Sequence, residues 1–109
     1  MEVKYQLRKG TLILKMPKEV DHHVAGQIRE ETDLLLETYH IHKLVFDFEQ
    51  TRFMDSSGIG MILGRCRKLH FLEGEVEAVH VSSQVNKIFV VSGLHNMVTI
   101  ERENEEKNV

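Results

Sequence analysis

A single cysteine, Cys66, stands in 109 residues, so no disulfide framework is available and a reducing compartment fits. No apolar run approaches the roughly 20 residues that a membrane-spanning helix needs. Met1 to Gly10 is polar and alternating, unlike a secretory leader. These absences predict a cytoplasmic protein with no membrane partner. Basic charge is also in short supply. Fourteen Lys and Arg face 17 Asp and Glu, for a net charge of -3, with no basic stripe and no aromatic interleaving. That argues against direct nucleic-acid binding. There is no internal repeat and no low-complexity segment. The length suits one domain, which at this size buries roughly 65% of its unfolded surface and folds without disulfide or metal.

What is present is organised around Phe53-Met54-Asp55-Ser56-Ser57-Gly58-Ile59-Gly60-Met61-Ile62-Leu63-Gly64-Arg65. It follows the apolar run Leu44-Val45-Phe46-Asp47-Phe48, which reads as a buried strand. Ile59, Ile62, Leu63 and Cys66 then fall at helical spacing. Asp55, Ser56 and Ser57 are N-cap types, so the helix starts among them and presents two hydroxyls in its first turn. Such an end carries unpaired N–H groups and suits an anion. Gly58, Gly60 and Gly64 each cost the helix roughly 1 kcal/mol against alanine. Close packing of helix on sheet and the approach of a partner near Ser57 can each offset that cost, and both can hold, because glycines two apart face different sides.

Along the chain, Val3, Tyr5 and Leu7 alternate with polar residues as a half-buried strand. Lys9-Gly10 is a turn, and Leu12 to Met16 returns antiparallel until Pro17 ends the strand. Lys18 to Val20 reads as a loop. Asp21 caps a helix to about Tyr39, with Val24, Ile28, Leu35 and Leu36 inward and a flaw in the pattern at Thr32. Lys43 to Phe48 is the most buried strand. The central helix ends near His70 or Leu72, and Gly74 breaks the chain. Val76, Ala78 and His80 share one parity of a fourth strand. Ser82 and Ser83 offer an N-cap for a short helix that closes at Gly93 and Leu94. Met97 to Ile100 is a last short edge strand. The expectation is an α/β domain over residues 1–100. It has a mixed four- to five-stranded sheet, an N-terminal antiparallel hairpin and helices packed on the sheet. A polar, frayed tail covers 101–109. Strands joined through helices are parallel, and ligands sit outside their carboxyl ends. The loops before Asp21 and Ser57 therefore share one end of the molecule.

Several chemistries fail on spacing. The third glycine of Gly58-Ile59-Gly60-Met61-Ile62-Leu63-Gly64 falls one place late for a dinucleotide fingerprint, and no Gly-Lys-Ser/Thr follows for a P-loop. Met54 to Gly58 lacks the Gly-x-Ser-x-Gly elbow, and no histidine is spaced to serve Ser57 as a base. Adjacent His22 and His23 point about 100° apart on a helix and chelate poorly, so no metal is expected. One function needs only an exposed hydroxyl at a helix start: a phosphoacceptor. A phosphate there would meet helix N–H groups and add about -2 charge. Asp55 and Asp21 would make that charge repulsive, although both also serve as plain helix caps.

The stretch Phe53 to Arg65 resembles the signature of STAS domain proteins that act as anti-sigma factor antagonists. Glu19-Val20-Asp21-His22-His23 and Phe89-Val90-Val91-Ser92-Gly93-Leu94 extend the match, and the order of strands and helices agrees over nearly the whole chain. Asp21-His22-His23 favours the sporulation branch, the anti-sigma F factor antagonists, over the general-stress branch. The resemblance implies a binding module rather than an enzyme. The unmodified form binds an anti-sigma factor that is also a serine kinase and so frees the sigma factor. The kinase supplies its own ATP, so the module needs no cofactor, and phosphorylation releases the antagonist. A PP2C-type phosphatase resets it. By the same resemblance Ser57 is the phosphoacceptor, and Asp21, His22, Met54, Asp55, Ser56, Gly58 and Ile59 serve partner binding. This chain departs from the pattern at Lys18, where a glycine is usual, at Cys66, where an aromatic is common, and at Val90, where an aspartate is frequent. The alternatives are a STAS interaction module with another partner, a stress-sigma regulator or transporter-associated subunit, and a small hydrolase using Ser57.

Overall fold

A computed structural model describes residues 3–103. β1 (Lys4–Arg8) and β2 (Thr11–Lys15) form the antiparallel hairpin. Its two-residue turn puts Lys9 at φ 46° and Gly10 at φ 82°. Positive φ at both positions matches the right-handed twist of the flanking strands. α1 (His22–Thr38), α2 (Ser56–Phe71) and α3 (Ser83–Ser92) alternate with β4 (Lys43–Asp47), β6 (Glu75–Val81) and β7 (Thr99–Arg102). The main sheet runs β1-β2-β4-β6-β7, parallel in every pair except the hairpin. Leu12, Leu14, Leu44, Phe46, Val76 and Ala78 form the face that joins the helices in one core. β4 is the middle strand of the sheet; on its opposite face Lys43 pairs with Glu77 at 3.0 Å, while Val45 and Asp47 are buried there.

Five expectations need correction. Glu19–Val20 is not loop but a short strand, β3, pairing in parallel with β5 (Phe53–Met54). Two-residue strands carry too little alternation to be read from sequence. The last strand lies at Thr99–Arg102 rather than Met97 to Ile100, because a 3₁₀ turn at Leu94–Asn96 uses the intervening chain. β1 is more exposed than a half-buried strand, with Leu7 37% exposed at the edge of the sheet. His80 leaves the parity of Val76 and Ala78. It adopts φ 56°, the pairing with β7 slips between Ala78 and Val81, and Val81 turns inward instead. Of the tail expected over 101–109, Glu101 and Arg102 belong to the last strand, and residues 104–109 lie outside the described residues.

The flaw at Thr32 has a physical reason. Thr32 is fully buried; its hydroxyl donates to Ile28 O at 2.7 Å and accepts from Arg65 Nη1 at 3.0 Å. Arg65 also pairs with Asp33 at 2.6 Å. A polar clasp therefore fastens α1 to α2 where the apolar pattern lapses; Arg65 Nη1 bridges Thr32 and Asp33, while Arg65 Nε is buried without a partner.

Candidate functional site: the start of the central helix

β3 and β5 bring the two loops together. Val20 pairs with Met54, and the Asp55 N–H donates to Val20 O at 3.1 Å. Each short strand runs directly into a capping aspartate. Asp21 caps α1 by accepting from Val24 N at 3.0 Å, and that bond holds its carboxyl below the ordinary range. Asp55 caps α2 through one oxygen, Oδ1, which accepts from Ser57 N at 2.9 Å and Gly58 N at 3.1 Å. Two of the N–H groups expected to greet an anion at this end, those of Ser57 and Gly58, are thus already engaged by a carboxylate.

Ser56 is exposed, Ser57 half-buried, and Ile59 half-buried. Among the described residues nothing hydrogen-bonds the Ser57 hydroxyl, while its N–H is fixed by Asp55. Gly58 is buried for a steric reason: a Cβ there would come within 2.5 Å of Met54 Cγ and 3.0 Å of Val20 O. The close-packing explanation of the glycines therefore holds at Gly58. It does not extend to Gly60 and Gly64, where an added Cβ meets nothing within 4 Å. Met54, 2% exposed, lies beneath the site, whereas Asp21 and His22 face solvent. The structure thus gathers Asp21, His22, Asp55, Ser56, Ser57 and Ile59 at one end, with Met54 and Gly58 as their support.

The exposure of some flanking residues was not part of the sequence reading. Phe53 is 51% exposed beside the cap, and Val90 and Val91 on α3 are 49% and 88% exposed. Ile59, Ile88 and Val91 line a depression of about 320 Å³ with Met54, Lys87 and Ser92.

A protein-family model, the STAS domain, matches residues 2–107. The chain belongs to the STAS domain family. The anti-sigma F factor antagonist of Lysinibacillus sphaericus is 33% identical over 86 residues, 79% of this chain and 74% of that protein. Among solved structures, the anti-sigma factor antagonist SpoIIAA in its unphosphorylated form is 30% identical with a TM-score of 0.84, covering 98% of this chain and 92% of that one. The Bacillus cell fate determinant SpoIIAA in its phosphorylated form is 29% identical with a TM-score of 0.77, covering 98% and 96%. Lys18 is at ease in this STAS domain. It takes no positive φ, and its contribution to the site is a carbonyl that accepts from Arg52 N at 2.7 Å and Phe53 N at 3.3 Å. Cys66 is buried, which pushes its thiol up to about 11. No helix among the described residues is long and apolar enough to cross a membrane.

Proposed function

We propose that this STAS domain is an anti-sigma factor antagonist of the sporulation type, controlled by phosphorylation of Ser57. The observation that carries the reading is the unengaged, half-buried Ser57 hydroxyl beside the Asp55 carboxylate that caps its helix. The unmodified protein binds a cytoplasmic anti-sigma factor through the end that holds Asp21, His22, Asp55, Ser56, Ser57 and Ile59. The bound anti-sigma factor is a serine kinase. It transfers the terminal phosphoryl group of its own ATP to Ser57 Oγ, leaving ADP, and the hydroxyl proton passes to a base on the kinase. The antagonist therefore needs no cofactor of its own. A PP2C-type phosphatase removes the phosphate by hydrolysis.

Release follows from local electrostatics. The phosphate adds about -2 charge at neutral pH. Two of the N–H groups that would greet it are held by Asp55, so the new charge lies against a carboxylate. The fold has no reason to change; the surface simply becomes costly to bury against a partner.

The test is to mix the chain with the anti-sigma kinase and Mg-ATP, take the intact mass and map the site. One phosphate on Ser57 is expected. Ser57→Ala should bind the kinase like wild type but stay bound when ATP is added. Ser57→Asp should bind about tenfold or more weakly, or about 1.4 kcal/mol. Phosphate on Ser56 would move the acceptor. No phosphate from an active kinase would leave a STAS module with another partner, a stress-sigma regulator or a transporter-associated subunit.

A further inference from the structure

We propose that His80 and Asp47 form a pH-sensitive pin, which fastens the carboxyl end of the sheet next to the start of α3 and loosens as pH rises. The observation that carries it is a left-handed histidine laid on a buried carboxylate. His80 stands at the bulge of β6 with φ 56°. That conformation costs an L-residue energy and persists where the surroundings hold it. Its Nδ1 lies 2.9 Å from Oδ1 of Asp47, the last residue of β4, which is only 8% exposed.

The bulge is a junction. The carbonyls on either side of His80 are both used: Val79 O accepts from Phe48 N at 3.0 Å, and Val81 O from Glu103 N at 2.9 Å. Asp47 Oδ1 also accepts from Glu49 N at 3.0 Å. The contact between His80 and Asp47 therefore sits among the bonds that join the ends of β4, β6 and β7. Two residues after His80, Ser82 caps α3 by accepting from Val85 N at 3.1 Å. None of these residues belongs to the elements that carry Ser57.

Charge decides the pH dependence. The hydrogen bond to Asp47 raises the His80 imidazole above its ordinary value of 6.5. Partial burial opposes the rise, and the charges of Asp47, Glu49 and Glu101 add to it. Carboxylates thus face the ring from the end of β4, from the loop after it and from β7. The neighbouring cations each have a partner of their own. Lys15 on β2 reaches Glu49 Oε1 at 3.7 Å, and Arg102, opposite Val81, donates to Ser83 Oγ at 3.4 Å.

A histidine raised in the folded chain contributes stability that is fully present below its unfolded value of 6.5. That contribution is lost as pH rises through the folded value. Small shifts of this kind carry an imidazole across the physiological range. Above the folded value the neutral ring keeps an Nδ1–H for Asp47 but loses its charge, and with it part of what holds the left-handed backbone. The bonds around the bulge then open more often. The rival account is a fixed contact made by the neutral ring at every pH, and it predicts no pH dependence.

The experiment uses the full, unphosphorylated chain and has two readouts. Histidine ring shifts are followed by NMR from about pH 5 to about pH 9, with the His80 signal identified by its loss in His80→Asn. Asparagine tolerates the left-handed backbone. His80 should titrate above 6.5, and Asp47→Asn and Glu49→Gln should both lower it, the first by more. Amide-exchange protection factors at Phe48, Glu49 and Glu103 are then compared at about pH 5.5 and about pH 8. They should fall by about threefold or more in wild type, the change that half a pK unit represents, and stay level in His80→Asn. If Asp47→Asn does not fold, Glu49→Gln and the protection factors still decide the matter. Titration of His80 at or below 6.5 would overturn the pin, as would equal protection at both pH values in wild type. Neither result bears on phosphorylation of Ser57.

Discussion

Gly58 and Gly60 differ by two positions in one helix and meet opposite surroundings. At Gly58 a methyl group would strike the Met54 side chain and the backbone carbonyl of Val20, the strand that carries Asp21. A backbone atom cannot swing aside as a side-chain tip can. At Gly60 a methyl group would meet nothing within 4 Å, and the position is exposed. Gly60→Ala should therefore raise stability by about 0.5–1 kcal/mol from helix propensity alone. Gly58→Ala should lower it by about 1–3 kcal/mol, as overpacking does. Urea unfolding of the two variants checks both signs. A stabilised Gly58→Ala would mean that β3 and β5 do not press on the start of α2. If Gly60→Ala gains stability yet loses affinity for the anti-sigma factor, that glycine makes room for the partner.

At the scale of elements, the clasp between α1 and α2 gives the clearest pH dependence. Arg65 is 6% exposed and Asp33 is its carboxylate partner, with Lys68 adding a contact at 3.3 Å. Arg65 holds the Asp33 carboxyl below its ordinary value of 3.8. A lowered folded-state value means that the ionised form is favoured in the folded chain. The resulting stability is present above the unfolded value and is lost as pH falls through the folded one. Asp33→Asn should thus be less stable than wild type at neutral pH, and the gap should close in acid below pH 3.8. Thermal melts of both proteins across that range measure it. A gap that persists in strong acid would mean that packing, not charge, fastens the helices.

The same elements explain what the sequence made legible. The three helices, the hairpin and the longer strands β4 and β6 follow from periodicity and caps, because each runs long enough for its period to register. Asp21, Asp55 and Ser82 all cap as their residue types suggest. The losses have distinct causes. β3 and β5 are two residues each and exist only because they pair with one another. Thr32 looked like an error in α1 because its partner, Arg65, is 33 residues away. His80 changed face through a bulge, which no alternation rule anticipates. At the site, residue types placed Ser57 and both aspartates correctly in space. They could not show that Asp55 already occupies the N–H groups of Ser57 and Gly58, which reduces what the helix end offers a phosphate.

For the whole molecule, the proposed switch is a change of charge on an already acidic protein. The net charge is -3, and a phosphate with about -2 brings it to about -5. Two mechanisms of release then make different predictions. If repulsion from Asp55 and Asp21 dominates, exposed charge is at work, and salt should weaken it. The screening length falls from about 10 Å at 0.1 M to about 3 Å at 1 M. Binding of Ser57→Asp to the anti-sigma factor should therefore recover towards that of wild type as salt rises. If the cost lies in burying the new group against the partner, screening does little, because a desolvated charge is out of reach of the ions. Ser57→Glu, with the same charge on a longer stem, separates bulk from charge. Affinities of wild type, Ser57→Asp and Ser57→Glu at low and high salt make the test. A half-buried Ser57 next to a carboxylate whose second oxygen is not used in the cap favours partial recovery. Complete indifference to salt would place the block in desolvation and shape, and would remove Asp21 and Asp55 from the release mechanism.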